Sequence, residues 1–325
     1  MKVFHIINSL AAGGSESSLY SIIKKNHKNF HVIIIFSGKG IFYKKFNYLK
    51  NCKIIDISNF LFFKKISFIF NFVKENKKYS KQFVLNSWMY KSHIISSIVK
   101  IFINFSLLFH IRHCGITNKH KFINKLPIYL TLYFSKFFAI LIIYNSYSSK
   151  INHEKIGFES KKGIVIHNGF SNLKHKKNYR KLFKNRIVIG MLARKNFIKD
   201  HLTLIKSFAI LNKSRKNLIL FLQGSGLKSD TEINNFISKN QIKNVYFSNS
   251  NNKEFFFSQI DIHVLSSFGE SFPNVVAESI QREKITLSSN VGDVNRFLIK
   301  KNIFQIGNVS ECKSKIENYL KLIEK

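Results

Sequence analysis

Twelve short apolar runs, interleaved with segments of helical spacing, limit most sharply what this chain can fold into. The first seven are Lys2–Ile7, His31–Phe36, Lys53–Ile57, Phe83–Leu85, Leu108–Arg112, Ile140–Tyr144 and Gly163–Ile166. Five more follow at Ile187–Met191, Leu218–Leu222, Asn244–Phe247, Ile260–Leu265 and Lys284–Leu287. They are rich in branched and aromatic residues and lack polar alternation, the pattern of strands buried on both faces of a parallel sheet. Helical segments such as Glu16–Lys25, His201–Asn212 and Asn274–Arg282 lie between them. The unit is therefore strand–helix–strand, repeated and then repeated again. Ser171–Asn185, polar and strongly basic, separates the two series and reads as a linker. A chain of 325 residues is also long for one compact core. The expectation is α/β: two doubly wound domains, residues 1–175 and 176–325, facing a cleft, with ligands at the carboxyl ends of the strands.

Charge narrows the partners. The chain has 53 basic and 17 acidic residues, and its first 170 residues hold only five of the acids. Such an excess favours an anionic surface, lipid or nucleic acid. Part of it reflects a chain rich in Lys, Asn, Ile and Phe throughout. No helix-turn-helix, zinc module or aromatic RNA-binding strand accompanies the charge, so nucleic acid is not the expected partner. Cys52, Cys114 and Cys312 are far apart and odd in number, which argues for a reducing compartment without structural disulfides or zinc. Met1–Asn8 reads as a first strand rather than a signal peptide. The apolar runs Ile94–Ile111 and Tyr129–Tyr144 are interrupted by Lys100 and Lys136 and are expected to be buried rather than membrane-spanning. Phe60–Val73, followed by lysines, is a candidate membrane-contact helix, with core burial an equal alternative. Ser310–Lys325 is an amphipathic helix with Cys312, Ile316, Tyr319, Leu320 and Ile323 on one face.

Four stretches can carry chemistry. Ser266–Glu278 places Glu270 and Glu278 around a loop and a helix, with seven residues between them. Pro273 suits the first helical position, where its missing N–H is no loss. A strand, a tight loop and a helix start offer N–H groups to a phosphate. Carboxylates do not bind phosphate, but they fit sugar hydroxyls. Gly190–Asp200 puts Arg194 and Lys199 on the loop after the first strand of the second half, a fork and a point charge matched to a diphosphate. Gly13 and Gly14 make the first turn of the chain, with Ser15 placed to cap the next helix. Gly224-Ser-Gly226 is a turn after another strand, sufficient in itself to reverse the chain. His110 and His113 could suggest a metal pair, but residues three apart on a strand point to opposite faces. Without a third ligand no metal is expected.

Together these segments resemble the group 1 (family 4) retaining glycosyltransferases of the GT-B fold, over roughly residues 1–300. The matching motifs are Glu270-x7-Glu278, the Gly190-x-Leu-x-Arg194-x4-Lys199 loop, Gly224-x-Gly226 and the Gly13-Gly14-x-Glu16 turn. Trp88-Met-Tyr90, Ile111-Arg112-His113, Tyr144-Asn145-Ser146 and Val165–Gly169 match further segments of the family or of one subset. The resemblance implies two Rossmann-like domains, an acceptor-side one first and a nucleotide-sugar-binding one second. It implies that Glu270 contacts the transferred sugar and Glu278 the ribose. Gly13, Gly14, Arg194, Lys199, Gly224, Ser271, Phe272, Pro273 and Asn274 then surround the sugar donor, and His113, with Glu270, is the candidate catalytic residue. No metal or cofactor is implied. Departures are Lys91, where one subset has His, the absence of Gly at Phe247–Asn249, and Glu283 and Ile285, where members tend to carry Gly and Pro. The expected activity is retaining transfer from a UDP-hexose or UDP-N-acetylhexosamine to a glycan or lipid-linked acceptor in surface polysaccharide synthesis. The enzyme would be cytoplasmic and peripheral on the anionic inner membrane. Alternatives are a basic nucleic-acid-binding protein, or a sugar phosphorylase or sugar-nucleotide epimerase on the same fold.

Overall fold

A computed structural model of the chain describes residues 2–11, 13–79, 83–116, 122–170 and 179–323. It divides into two compact units, Met1–Gly169 and Phe170–Lys325. Residues 171–178 of the expected linker lie outside the described residues.

In the first unit, β1 (Lys2–Ile7), α1 (Gly14–Lys25), β2 (Phe30–Ile35), α2 (Ile41–Asn47), β3 (Cys52–Asp56) and α3 (Phe62–Lys78) alternate strictly. β4 (Val84–Trp88), α4 (Tyr90–Phe102), β5 (Ser106–Ile111), α5 (Phe122–Phe138), β6 (Leu141–Tyr144), α6 (Tyr147–Glu154) and β7 (Gly163–Val165) continue the pattern. The seven strands form one sheet in the order β3-β2-β1-β4-β5-β6-β7, with every pairing parallel. Both faces are covered. Leu19, Ile23 and Phe46 close one side, and Ile69, Val73, Ile95, Val99 and Ile128 close the other. That double burial is why these strands read as continuous apolar runs.

The second unit contains β8 (Ile187–Leu192), α7 (His201–Ser214), β9 (Leu218–Gln223), α8 (Thr231–Lys239), β10 (Val245–Ser248) and α9 (Lys253–Gln259). β11 (Ile262–Leu265), α10 (Asn274–Ile280), β12 (Ile285–Ser289), β13 (Ile303–Phe304) and α11 (Val309–Ile323) complete it. Its six-stranded sheet runs β10-β9-β8-β11-β12-β13, again all parallel. The strand order reverses at β8/β11, as it does at β1/β4 in the first unit. Such switch points open a crevice at the carboxyl ends of the strands. α11 packs on this unit through buried Cys312, Ile316 and Leu320, and Ser207 Oγ donates to the Val309 carbonyl at 2.9 Å.

Several local expectations change. α1 begins at Gly14 with Gly13 as its N-cap, so Ser15 lies inside the first turn and donates to the Glu16 carboxylate instead of capping. Pro273 is the N-cap of α10 rather than its first helical residue. In α3 the expected membrane-contact segment turns Ile69 and Val73 into the core, and its exposed large apolar residues are confined to the tip, Leu61–Phe63. The run Tyr129–Tyr144 is not buried throughout: Tyr129, Leu130, Tyr133 and Phe137 of α5 face outward.

Candidate functional site

In the second unit, the two loops at the switch point meet. The loop after β8 carries Arg194 to Asp200, and the loop after β11 carries Ser266 to Pro273. Two hydrogen bonds stitch them: Phe268 N–H donates to the Ile198 carbonyl, and Ser266 Oγ to the Asp200 carbonyl, each at 2.7 Å. Lys199 and Glu270 meet across this seam. Lys199 Nζ lies 2.5 Å from Glu270 Oε1, and Ser267 Oγ donates to the same oxygen at 2.8 Å. Ser267 is itself fixed by Ser289 Oγ, which donates to its carbonyl at 2.7 Å. Lysine and glutamate from motifs 71 residues apart are thus one polar group at the mouth of the sheet.

Neighbouring contacts hold the basic loop in place. Asp200 sits in the left-handed region (φ 42°), an uncommon conformation for a residue other than glycine. Its carboxylate caps α7, accepting from Thr203 N–H at 3.3 Å and Thr203 Oγ1 at 2.5 Å. His201, buried behind the loop, donates from Nε2 to the Ala193 carbonyl at 3.2 Å. Burial drives its pKa down to about 4, with Lys195 and Lys199 adding to the fall. Lys195 points into a different pair of acids, 2.8 Å from Asp230 and 3.2 Å from Glu232. Burial works against its charge, but those carboxylates outweigh it and raise its pKa. Arg194 is exposed at the start of the loop.

The glycines here have a steric role. A Cβ on Gly224 would stand 2.1 Å from the Ala193 carbonyl oxygen and 2.8 Å from Arg194 N. The turn therefore backs the loop that carries Arg194, beyond merely reversing the chain. Gly292 does the same for the acidic loop: its φ is +58°, and a Cβ there would meet the Ser271 carbonyl oxygen at 2.3 Å. Ser271 is buried, and Phe272 stacks on Phe297 at 5.3 Å between centroids. Asn274 N–H donates to the Phe272 carbonyl at 2.9 Å, which takes one of the amides expected for a ligand.

Glu278, fifth in α10, does not join the Glu270 group. Its two oxygens lie 2.5 and 2.7 Å from Nζ of Lys253, the first residue of α9. Lys253, Asp200, His201 and Gly292 were not singled out from sequence. Only Asp200 carried a local signal, an Asp three residues before Thr203 at a helix start.

In the first unit, Gly13 and His113 lie on loops after β1 and β5, at the carboxyl edge, and Gly14 opens α1. Gly115 N–H donates to His113 Nδ1 at 3.2 Å, so the neutral ring carries its proton on Nε2. Tyr90 stands beside it. Tyr90 OH and His153 Nε2 are 2.7 Å apart, and His153 Nδ1 is 2.7 Å from the Ser149 carbonyl. Because Nδ1 must donate to that carbonyl, Tyr90 is the donor to Nε2. Burial lowers His153 to about 4 and keeps it neutral. Arg112 Nη2 donates to Ser18 Oγ of α1 at 2.8 Å and also to Asn168 Oδ1, tying His113's strand end to the helix of the glycine turn. His110 is occupied elsewhere, 3.0 Å from Asn86 Oδ1 and stacked on Trp88 at 4.2 Å. Among the described residues no cluster of three His, Cys, Asp or Glu could hold a metal ion.

Residues 172–325 match the family model of the group 1 glycosyl transferases. The match runs along nearly all of the second unit. An uncharacterized glycosyltransferase of Methanocaldococcus jannaschii is 26% identical to the chain over 208 residues, covering 61% of the chain and 51% of that protein. The chain thus spans about half the length of the curated relative it matches. Among solved structures, Anabaena HepE in complex with UDP-glucose superposes with a TM-score of 0.85 at 18% identity, covering all of this chain and 91% of HepE. The lipopolysaccharide outer core galactosyltransferase WaaB gives 0.70 at 15% identity, covering all of this chain and 92% of WaaB. The chain has the GT-B fold, and the span that matches the family model carries the Arg194–Lys199 and Glu270–Glu278 motifs.

Proposed function

We propose that this chain transfers a hexosyl group from a nucleotide-diphosphate sugar to a glycan or lipid-linked acceptor, with retention and without a metal ion. The reading rests on the direct pairing of Lys199 with Glu270 at the switch point of the second sheet. A lysine that a diphosphate can draw away from a carboxylate gives both groups a task at once. The ammonium, with the Arg194 guanidinium, neutralises the diphosphate. The released Glu270 carboxylate, still held by Ser267, accepts from sugar hydroxyls. As the bond between the anomeric carbon and the diphosphate oxygen breaks, its electron pair leaves with the diphosphate. Fixed cations stabilise that growing charge, the task a metal performs in other transferases. Glu278, drawn from Lys253, takes the ribose hydroxyls. Gly13, Gly14, Gly224, Ser271, Phe272, Pro273 and Asn274 complete the set assigned to the sugar donor. The first unit, residues 1–175 in the sequence division, serves the acceptor, with His113 presenting Nε2–H.

HepE was solved with UDP-glucose, which favours a UDP-hexose or UDP-N-acetylhexosamine as the sugar donor. WaaB is by its name a lipopolysaccharide outer core galactosyltransferase, which favours surface polysaccharide synthesis, and the basic excess of the first unit favours work at the anionic cytoplasmic face of the inner membrane. The test is turnover of a panel of UDP-sugars, with the anomeric configuration of the product read by NMR and a chelator present. Glu278→Ala should lower turnover about a hundredfold while the fold is kept, since two charged hydrogen bonds to hydroxyls are lost. Turnover equal to wild type, or an inverted product, overturns the reading.

A further inference from the structure

We propose that the outer face of α5, in the first unit, is the surface by which this chain lies on an anionic lipid bilayer. Its inward face holds Ile128, Thr131 and Ser135, all essentially inaccessible, with Leu132 and Phe138 partly buried against the core. The two hydroxyls turn to backbone carbonyls, Thr131 to Tyr90 at 3.4 Å and Ser135 to Leu132 at 2.7 Å. The outward face holds Leu126, Tyr129, Leu130, Tyr133 and Phe137, with Tyr133 61% and Phe137 65% exposed. Their spacing of three and four residues makes one stripe along the helix. An apolar stripe of this length on the solvent side of a helix needs a cover.

Charge selects the cover. Lys125 and Lys136 are eleven residues apart, about three turns, and so share one flank of the stripe. No acidic residue occurs between Glu75 and Glu154. The nearest acid along the chain after the helix, Glu154, is paired with Lys150 at 3.7 Å, and Glu159 with Lys162 at 3.6 Å. Aromatic residues flanked by lysine, with no opposing acid, suit the boundary between acyl chains and anionic headgroups. Seventeen residues make a helix about 25 Å long, too short to cross the hydrocarbon layer of about 30 Å but suited to lie along it. No described helix is long and apolar enough to span a membrane. Ile101 and Phe102, at the end of α4, which packs against α5, are also strongly exposed. The inference rests on the preceding reading only for its purpose, since a lipid-linked acceptor lies at a bilayer.

Flotation of the full chain tests it, with vesicles of phosphatidylglycerol and phosphatidylethanolamine against vesicles of phosphatidylcholine alone. Wild type should float with the anionic vesicles at low salt and less at high salt. Tyr133→Glu with Phe137→Glu should lose at least about tenfold of that binding. Lys125→Gln with Lys136→Gln should weaken it chiefly at low salt. Leu61→Ser with Phe63→Ser, at the exposed tip of α3, should leave it unchanged. Circular dichroism confirms that the variants are folded, and Tyr133→Ser replaces the double variant if that one is not. Failure of wild type to float, or equal flotation of the α5 variants, overturns the proposal. So does sedimentation showing a wild-type dimer that the α5 variants disperse, because a second copy would then cover the face. Binding of UDP to the same samples reads the sugar-donor site separately. Its loss with flotation intact would refute the transferase reading and leave this surface standing.

Discussion

Two lysines on one loop, four residues apart, are given different partners. Lys195 is held by Asp230 and Glu232, whereas Lys199 lies against Glu270. That division was not legible in the sequence, where both are basic residues after a strand. Arg194, Lys199, Glu270 and Glu278 were legible because each follows a strand at a spacing that suits its chemistry. The Lys253–Glu278 pair was not, since nothing local marks a lysine at a helix start as the partner of a glutamate 25 positions on. Gly224 was legible as a turn but not as a spacer. Gly224→Ala should destabilise the second unit by about 1–3 kcal/mol, because the clash is with backbone that cannot rotate away. It should also weaken UDP binding about tenfold by displacing Arg194. Denaturant unfolding and titration check both, and wild-type values in each would show that the loop yields freely.

Among elements, α10 ends in a way its sequence hides. Glu283 N–H donates to the Ile280 carbonyl at 2.9 Å and Lys284 N–H to the Ser279 carbonyl at 3.2 Å, the paired bonds of a Schellman ending. The first of the two donors must be left-handed, and Glu283 has φ 57°. Glycine adopts that conformation without a Cβ penalty. Glu283→Gly should therefore raise stability by about 1 kcal/mol, read as a higher melting temperature of the second unit. A lower one would mean that the Glu283 side chain contributes more than its backbone costs. Strands were legible because doubly covered strands are apolar along their whole length. β13 was missed because two residues, Ile303 and Phe304, are too short for any period to show. α5 was misread for a physical reason: apolar content alone cannot tell an inward face from an outward one.

At the scale of the molecule, both units bury neutral histidines. Burial, with Arg112 nearby, lowers His110 to about 3, and burial lowers His153 to about 4 in the first unit. In the second, His263 falls to about 3 by burial and His201 to about 4. These groups bind protons in the unfolded chain near pH 6.5 but not in the fold until far lower pH. Their contribution is fully present above about pH 6.5 and is lost as pH falls toward 4, by up to about 1.4 kcal/mol per pH unit for each histidine. Melting temperature should drop steeply between about pH 6 and 4, and a flat profile there would contradict the burial of these rings.

The account turns on Lys199 as the ammonium that exchanges a carboxylate for a diphosphate. Calorimetric titration of UDP into wild type, Lys199→Met and Lys195→Met tests this most directly. Lys199→Met should lose about tenfold or more in affinity, and Lys195→Met, committed to Asp230 and Glu232, should stay within about twofold. Equal affinities for wild type and Lys199→Met, or a larger loss at Lys195, would contradict it.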